Sequence, residues 1–430
     1  FADGENLAAD GIRISGAPGA VFISTFDFVD TAPSAYGNEY YNVFWAIGRK
    51  GLRIEGVKAE GCTLLCAENC TDILVSGCHL DGWHDNDNGF LHDKGLYFSA
   101  CRRVRVIGND FEDCNFPVYF GGTNEARCRD CHVGGNTFEF TRAAGTYTAL
   151  FPGMVYAYFV DALTVIGNCF RNIYSSLDNG DSGTGLGYAV YEGDGACTSI
   201  VIAGNVFEFD DYDDKRATCV LVTTAEVATI ADNVFKLASG ARILSAIRLQ
   251  PLTAGARHTA TGNIIDAEGV INPNQAIYVD AAGASSIPTG AFVSVRGNQI
   301  RKGGIVAALG GNHIPSLGLE IADNIVDDCG SRGGAIRVVG TAGTPSKIWV
   351  SPLIRGNTVR RALGGGIGIL ATARARVIGN TIIDCNTGDG ADDSLDTGGI
   401  IFTGYGYGGT VTGNRIIQTP GGPGQIGRAH

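Results

Sequence analysis

Between His84 and Lys94 eleven residues hold two imidazoles (His84, His92), three carboxylates (Asp85, Asp87, Asp93) and one amine (Lys94), with Trp83 just before them and Tyr97 just after. These side chains suit proton transfer. A base takes a proton, an acid gives one back on the opposite side, and a cation holds the charge that develops between them. His92 or Tyr97 would serve as base or acid, and Lys94 with Arg248 as the cations. Glu192 with Asp194 or Asp211 offers the other chemistry, in which two carboxylates flank a glycosidic bond, about 5–5.5 or 6.5–9.5 Å apart according to stereochemistry. Asp85 and Asp87, and further on Asp210 and Asp213, are spaced as oxygen ligands for Ca2+, although the first pair lacks the glutamate that closes an EF-hand loop.

These residues lie in a chain ruled by one repeat. An apolar or β-branched run is followed by Gly-Asn, one residue, then Phe, Ile or Val, as in VRVIGNDF at 104–111, LTVIGNCF at 163–170 and IVIAGNVF at 200–207. The asparagines are Asn109, Asn136, Asn168, Asn205, Asn233, Asn263, Asn298, Asn324, Asn357, Asn380 and Asn414, and degenerate copies stand near Val57 and Cys78. The spacing is about 30 residues, the length of one coil of a solenoid. The residue before Asn is Gly in nine copies and Asp (Asp232, Asp323) in two, which points to a left-handed backbone at that position. Phe111, Phe138, Phe170, Phe207 and Phe235, then Ile265, Ile300, Val326, Val359, Ile382 and Ile416, read as one inward column. The expectation is an all-β, single-stranded parallel β-helix of about 13 rungs. It forms one domain over residues 1–424, with the last residues, 425–430, a non-native tail outside the repeat.

Composition agrees. The 64 glycines and single methionine exclude a helical bundle, and glycine without a period of three excludes collagen. A net charge of −12 argues against nucleic acid and anionic membranes as partners. No apolar run has the length of a membrane span, and no P-loop, dinucleotide fingerprint or nucleophile elbow marks an organic cofactor or a serine hydrolase. Thirteen cysteines are an odd number, so one at least is unpaired within the chain. Cys114, Cys329 and Cys385 each follow a repeat Asn by five residues and read as core.

The Gly-Asn-x-aliphatic turns, over about residues 50–418, resemble those of right-handed parallel β-helices of the pectate-lyase-like superfamily. That resemblance implies a ligand along one strand face, flanked by loops. It leaves open lyases, hydrolases, epimerases, adhesins and tailspikes, the last of which would be trimeric. The capping helix usual in such proteins is not visible before Gly51, which reads as a missing upstream segment. The paired-Asp and Gly-His-Gly signature of polygalacturonases and the Tyr-Gly-Phe-Asp-Pro-His phrase of mannuronan epimerases are absent.

Insertions at 81–95, 139–154, 171–187, 208–217 and 384–399 would wall the face. The strands after the insertions and their counterparts in later coils would turn Tyr97, Tyr119, Tyr158, Tyr191, Arg248, Tyr278 and Arg337 outward. Aromatic and guanidinium groups at coil spacing suit a sugar polymer, with Trp83 and His84 at its edge. Stacked tyrosines are also good structural strand residues. The expected function is an extracellular or cell-surface enzyme cleaving an acidic polysaccharide by β-elimination. A hydrolase with paired carboxylates and a non-catalytic carbohydrate-binding adhesin, filament or tailspike are the alternatives.

Overall fold

Runs of three to eight residues rich in Val, Ile, Phe and Tyr, cut by turn residues, can only become short strands. The computed structural model describes residues 5–6, 9–17, 21–23, 42–82, 94–141, 153–173, 187–193, 195, 197–210, 216–270, 275–281, 290–308, 317–330, 334–340, 349–370, 372–385, 399–403 and 408–419. Their regular elements are strands, in three parallel sheets of 14 strands each and one further two-stranded pair. Each sheet takes every third strand in chain order, so one coil contributes one strand to each sheet. The fold is a right-handed parallel β-helix. The sheets hold one coil more than the 13 turns read from the repeat. It is formed by Glu5–Asn6, Arg13–Ser15 and Val21–Ile23, where no Gly-Asn phrase marks it.

The chain divides into two compact units, Phe1–Cys219 and Val220–His430. In the first, a representative coil runs Lys94–Ser99, Arg102–Ile107 and Asp110–Glu112. Between its second and third strands stand Gly108, at φ +63°, and buried Asn109. All eleven residues before the repeat asparagines have positive φ, including Asp232 (+54°) and Asp323 (+56°) in the second unit.

The asparagines form a ladder inside the turn. Asn109 donates from its backbone N–H and from Nδ2 to Asn136 Oδ1, both at 2.9 Å, and Nδ2 also donates to Val75 O at 3.1 Å. Asn136 repeats the pattern on Asn168, and Asn168 on Asn205. Cys78 holds the same place one coil earlier, its N–H donating to Asn109 Oδ1 and its thiol to Ile54 O. In the second unit the ladder runs from Asn233 through Asn263, Asn298, Asn324, Asn357 and Asn380 to Asn414. A turn that buries its backbone must supply these partners, and the repeat asparagine does so.

The inward column is as expected as far as Ile382. Ile416 continues it in register, but it lies on the last coil of the sheet and is half exposed, because no further coil among the described residues covers it. Phe111, Phe138, Phe170 and Phe207 stack at centroid distances of 4.8–5.0 Å in the first unit. In the second, Phe235, Ile265, Ile300, Val326, Val359 and Ile382 follow one another in register and are buried. The thirteen cysteines are free thiols, and all but half-buried Cys169 are buried. Cys114 and Cys385 donate to carbonyls of their own and the preceding coil, so these thiols close turns inside the core.

Candidate functional site

The sheet that takes the first strand of each coil, Lys94–Ser99 in the representative one, is the first sheet, and its outward face carries the candidate side chains. In the first unit, register places Trp45, Cys66, Tyr97, Tyr119, Tyr156 and Tyr191 in one column, each residue on the next coil. Their strand neighbours Leu96, Phe98, Val118, Phe120, Val155 and Ala157 are buried, and the tyrosines are half-buried. Ring centroids lie 5.5 Å apart for Tyr97–Tyr119, 4.9 Å for Tyr119–Tyr156 and 4.7 Å for Tyr156–Tyr191. Phe116 meets Tyr119 and Tyr156 edge-on, and Tyr188 tilts against Tyr191.

The column corrects one expectation. Tyr156, not Tyr158, stands between Tyr119 and Tyr191, because Val118 pairs with Val155 and Phe120 with Ala157. Tyr158 falls beyond the strand Gly153–Ala157, its N–H donates to Phe120 O, and its ring packs on Phe159 at a left-handed turn. The stack also changes what the tyrosines offer. Tyr119 and Tyr156 spend both ring faces on neighbours, so a sugar meets their edges and hydroxyls.

Tyr97 titrates above the ordinary phenol range, chiefly through burial, with Ser99 hydrogen bonding working the other way and the Glu68 carboxylate adding to the rise. It therefore keeps its proton at neutral pH and suits the acid role better than the base. Glu192 follows Ala157 in the inward position and is fully buried, with the Cys197 thiol hydrogen-bonded to it. A carboxylate in the lumen wall cannot reach a bond lying on the outer face.

In the second unit Arg248 and Tyr278 are register neighbours, and Val306 separates Tyr278 from half-buried Arg337. The centre of this group is Asp280, nearly closed off from solvent, which nothing in the local sequence signals. Its Oδ2 accepts from Arg248 Nε at 3.1 Å, from Arg248 Nη2 at 2.5 Å and from Gln250 Nε2 at 2.7 Å. The Arg248 guanidinium also lies 5.7 Å from the Tyr278 ring centroid. Arg248 thus spends its charge on a carboxylate of its own chain. Burial pushes the Tyr278 phenol up to about 12, with the Asp280 charge and hydrogen bond adding and Arg248 opposing. Replacing Asp280 by Asn is expected to bring the Tyr278 titration down, read from tyrosinate ultraviolet absorbance against the parent protein. An unchanged curve would remove Asp280 as the group that holds this proton.

No protein-family model matches the chain, and no curated protein matches it. It is similar to solved structures at low identity. A tailspike protein of E. coli bacteriophage HK620, solved with a pentasaccharide, has a TM-score of 0.47 and 11% identity, over 94% of this chain and 74% of that one. The A-module of the Azotobacter vinelandii mannuronan C-5 epimerase AlgE6 has a TM-score of 0.37 and 13% identity, over 88% and 90%. A Thermotoga maritima exopolygalacturonase has a TM-score of 0.36 and 10% identity, over 78% and 82%.

Several expected site residues lie outside the described residues: Trp83, His84, Asp85, Asp87, His92, Asp194, Asp211 and Asp213. Lys94 opens a first-sheet strand opposite Phe116, and its side chain is likewise outside them. Asp210 is exposed and tied to Asn172, which accepts its N–H at 2.8 Å. Among the described residues no three His, Cys, Asp or Glu side chains gather to hold a metal ion.

Proposed function

We propose that the protein binds a polysaccharide along the outward face of the first sheet, and that the first unit supplies the principal platform. The observation that carries this reading is the tyrosine column Tyr97, Tyr119, Tyr156 and Tyr191. Its rings repeat at strand spacing, so a polymer lying along it would meet the same edge and hydroxyl at each coil. Stacking holds the rings rigid, so little side-chain entropy is lost on binding. An extracellular or cell-surface location accords with such a ligand.

Cleavage by β-elimination of an acidic chain is the reaction the candidate residues favour, with Tyr97 as acid and His92 as base beside Lys94. Hydrolysis loses ground because buried Glu192 is one of its two carboxylates. A non-catalytic binding solenoid is the second reading, favoured by Arg248 being committed to Asp280. A panel of neutral and acidic polysaccharides separates these readings, with binding, unsaturated product and new reducing ends followed together. Unsaturated ends with reducing ends support the lyase, reducing ends alone the hydrolase, and binding alone the solenoid. On a polymer that binds, Tyr156→Ala is expected to weaken affinity at least about tenfold and Tyr158→Ala to change it less than about twofold. Equal effects would remove the column from the reading.

A further inference from the structure

Arg171 shows how this chain stacks an arginine. It stands in register between Glu139 and Glu208 and pairs with both, at 3.5 and 3.2 Å. In the second unit Arg301 stands in the same way between Asp266 and Asp327 and pairs with Asp266. The second sheet, which takes Arg102–Ile107 in the representative coil, departs from this pattern in the first unit. There Arg53 and Arg105 are in register on either side of Leu74, and Lys50 and Arg102 on either side of Thr71. The members of each pair are two strand spacings apart, about 9.6 Å. An apolar and a neutral side chain thus hold the places that carboxylates take beside Arg171 and Arg301.

Lys50, Arg53, Arg102 and Arg105 are exposed, and none of them forms an ion pair among the described residues. The carboxylates nearby have other partners. Asp72 accepts from Arg103 at 2.5 and 2.9 Å and titrates below the usual carboxylate range chiefly for that reason, with the Lys50 and Arg105 charges adding. Glu55 accepts from Arg13 Nε at 2.6 Å, and Asp10 accepts the Lys50 backbone N–H at 2.9 Å. Asp161 pairs with Arg127 and Arg129, and Asp130 acts on Arg103. Arg105 next meets His132, whose pKa is lowered by burial and then by the Arg105 charge, so the imidazole is neutral at neutral pH. A chain of net charge −12 therefore gathers uncompensated positive charge on this face. Like charges so close repel one another, and an anion between them would turn that repulsion into attraction.

We propose that this face binds an acidic polysaccharide, with one carboxylate between Arg53 and Arg105 and another between Lys50 and Arg102. Guanidinium forks take a carboxylate through two parallel hydrogen bonds, which fixes its orientation as well as its charge. Half-buried Leu74 offers the C–H surface of a sugar ring an apolar contact between the two arginines. Charge alone would suit a single-stranded nucleic acid equally. However, the column Arg53, Leu74, Arg105, His132, Thr164 and Val201 has no Phe, Tyr or Trp on which bases would stack. The site belongs to a different sheet from the tyrosine column and stands whether or not that column binds a sugar.

Calorimetry with galacturonate and mannuronate hexamers, neutral maltohexaose and a hexameric oligothymidylate tests the site. The variants are made in a Tyr156→Ala chain, in which the first-sheet platform is already cut. Leu74→Glu supplies the missing carboxylate and is expected to lower the affinity for the uronate that binds at least about tenfold, with the melting temperature unchanged or raised. Arg53→Gln combined with Arg105→Gln should lower it as much, whereas Leu74→Met stays within about twofold. Uronate binding should weaken as salt rises from about 50 to 300 mM, and less steeply in Leu74→Glu. Unchanged affinity in folded Leu74→Glu and in the double arginine variant overturns the site while leaving the tyrosine column in place. The column fails separately, if Tyr156→Ala binds as the parent does. Oligothymidylate or maltohexaose bound as tightly as the uronates overturns the acidic polysaccharide as occupant. A Tyr156→Ala chain that binds neither uronate overturns the site outright.

Discussion

Asn168→Ala is expected to destabilise the protein by about 4 kcal/mol, near the upper end for a single substitution. Asn168 joins three coils. Its Nδ2 donates to Val133 O and to Asn205 Oδ1, both at 3.0 Å, and its Oδ1 accepts the Asn136 backbone N–H at 3.0 Å and Asn136 Nδ2 at 2.9 Å. Alanine leaves two donors of Asn136 and one acceptor of Val133 inside a dry turn, and each orphaned group costs about 1–3 kcal/mol. Asn168 is buried, so water does not reach these groups without opening the turn. Cys78→Asn is the contrast: the position ends the ladder, and an amide there would extend the network, so the change should stay within about 1 kcal/mol. Urea denaturation of both variants reads the difference. An Asn168→Ala protein that unfolds at the parent midpoint would mean that the ladder is only a consequence of the coil.

The ladder was legible because its signal is local. A turn that needs positive φ followed by a buried amide leaves Gly-Asn or Asp-Asn in the sequence, and every copy states the requirement again. The inward Phe and Ile column follows from the same phrase by alternation. The outward column was legible only in part. The segment GMVYAYF offers tyrosines at 156 and 158, both outward by alternation, and the insertion before it erases the register that would choose between them. Only the pairing of Ala157 with Phe120 decides for Tyr156. Glu192 was misread because alternation around Tyr191 turns its neighbours inward, whatever their polarity. Asp280 was missed because its partner Arg248 is 32 residues away and no short motif joins them. Trp45 was missed because it precedes the first recognisable turn. Scaffold is thus written as repetition, whereas a site is written as departures from it, and each departure needs the register before it can be read.

His258 is such a departure, and its expected effect is on pH dependence. It occupies an inward position of the strand Arg257–Thr261, between Ala228 and Val293 in register, and is fully buried. Its Nε2 lies 2.8 Å from Ala225 O and so carries the proton, while Nδ1 has no partner among the described residues. Burial lowers its pKa from 6.5 to about 4, with the Ala225 carbonyl working in the opposite direction. Because the folded value lies below the unfolded one, the unfolded chain takes up the proton first as the solution is acidified. The contribution of neutral His258 is complete above pH 6.5 and is lost as the pH falls toward about 4. A difference of this size corresponds to roughly 3 kcal/mol. His258→Val, matching Val293 on the next coil, removes the titration while keeping an apolar side chain in the column. Urea unfolding free energies measured for both proteins across this interval should therefore diverge, the parent falling more steeply than the variant. Parallel curves would mean that His258 is already solvated, or already protonated, in the folded coil.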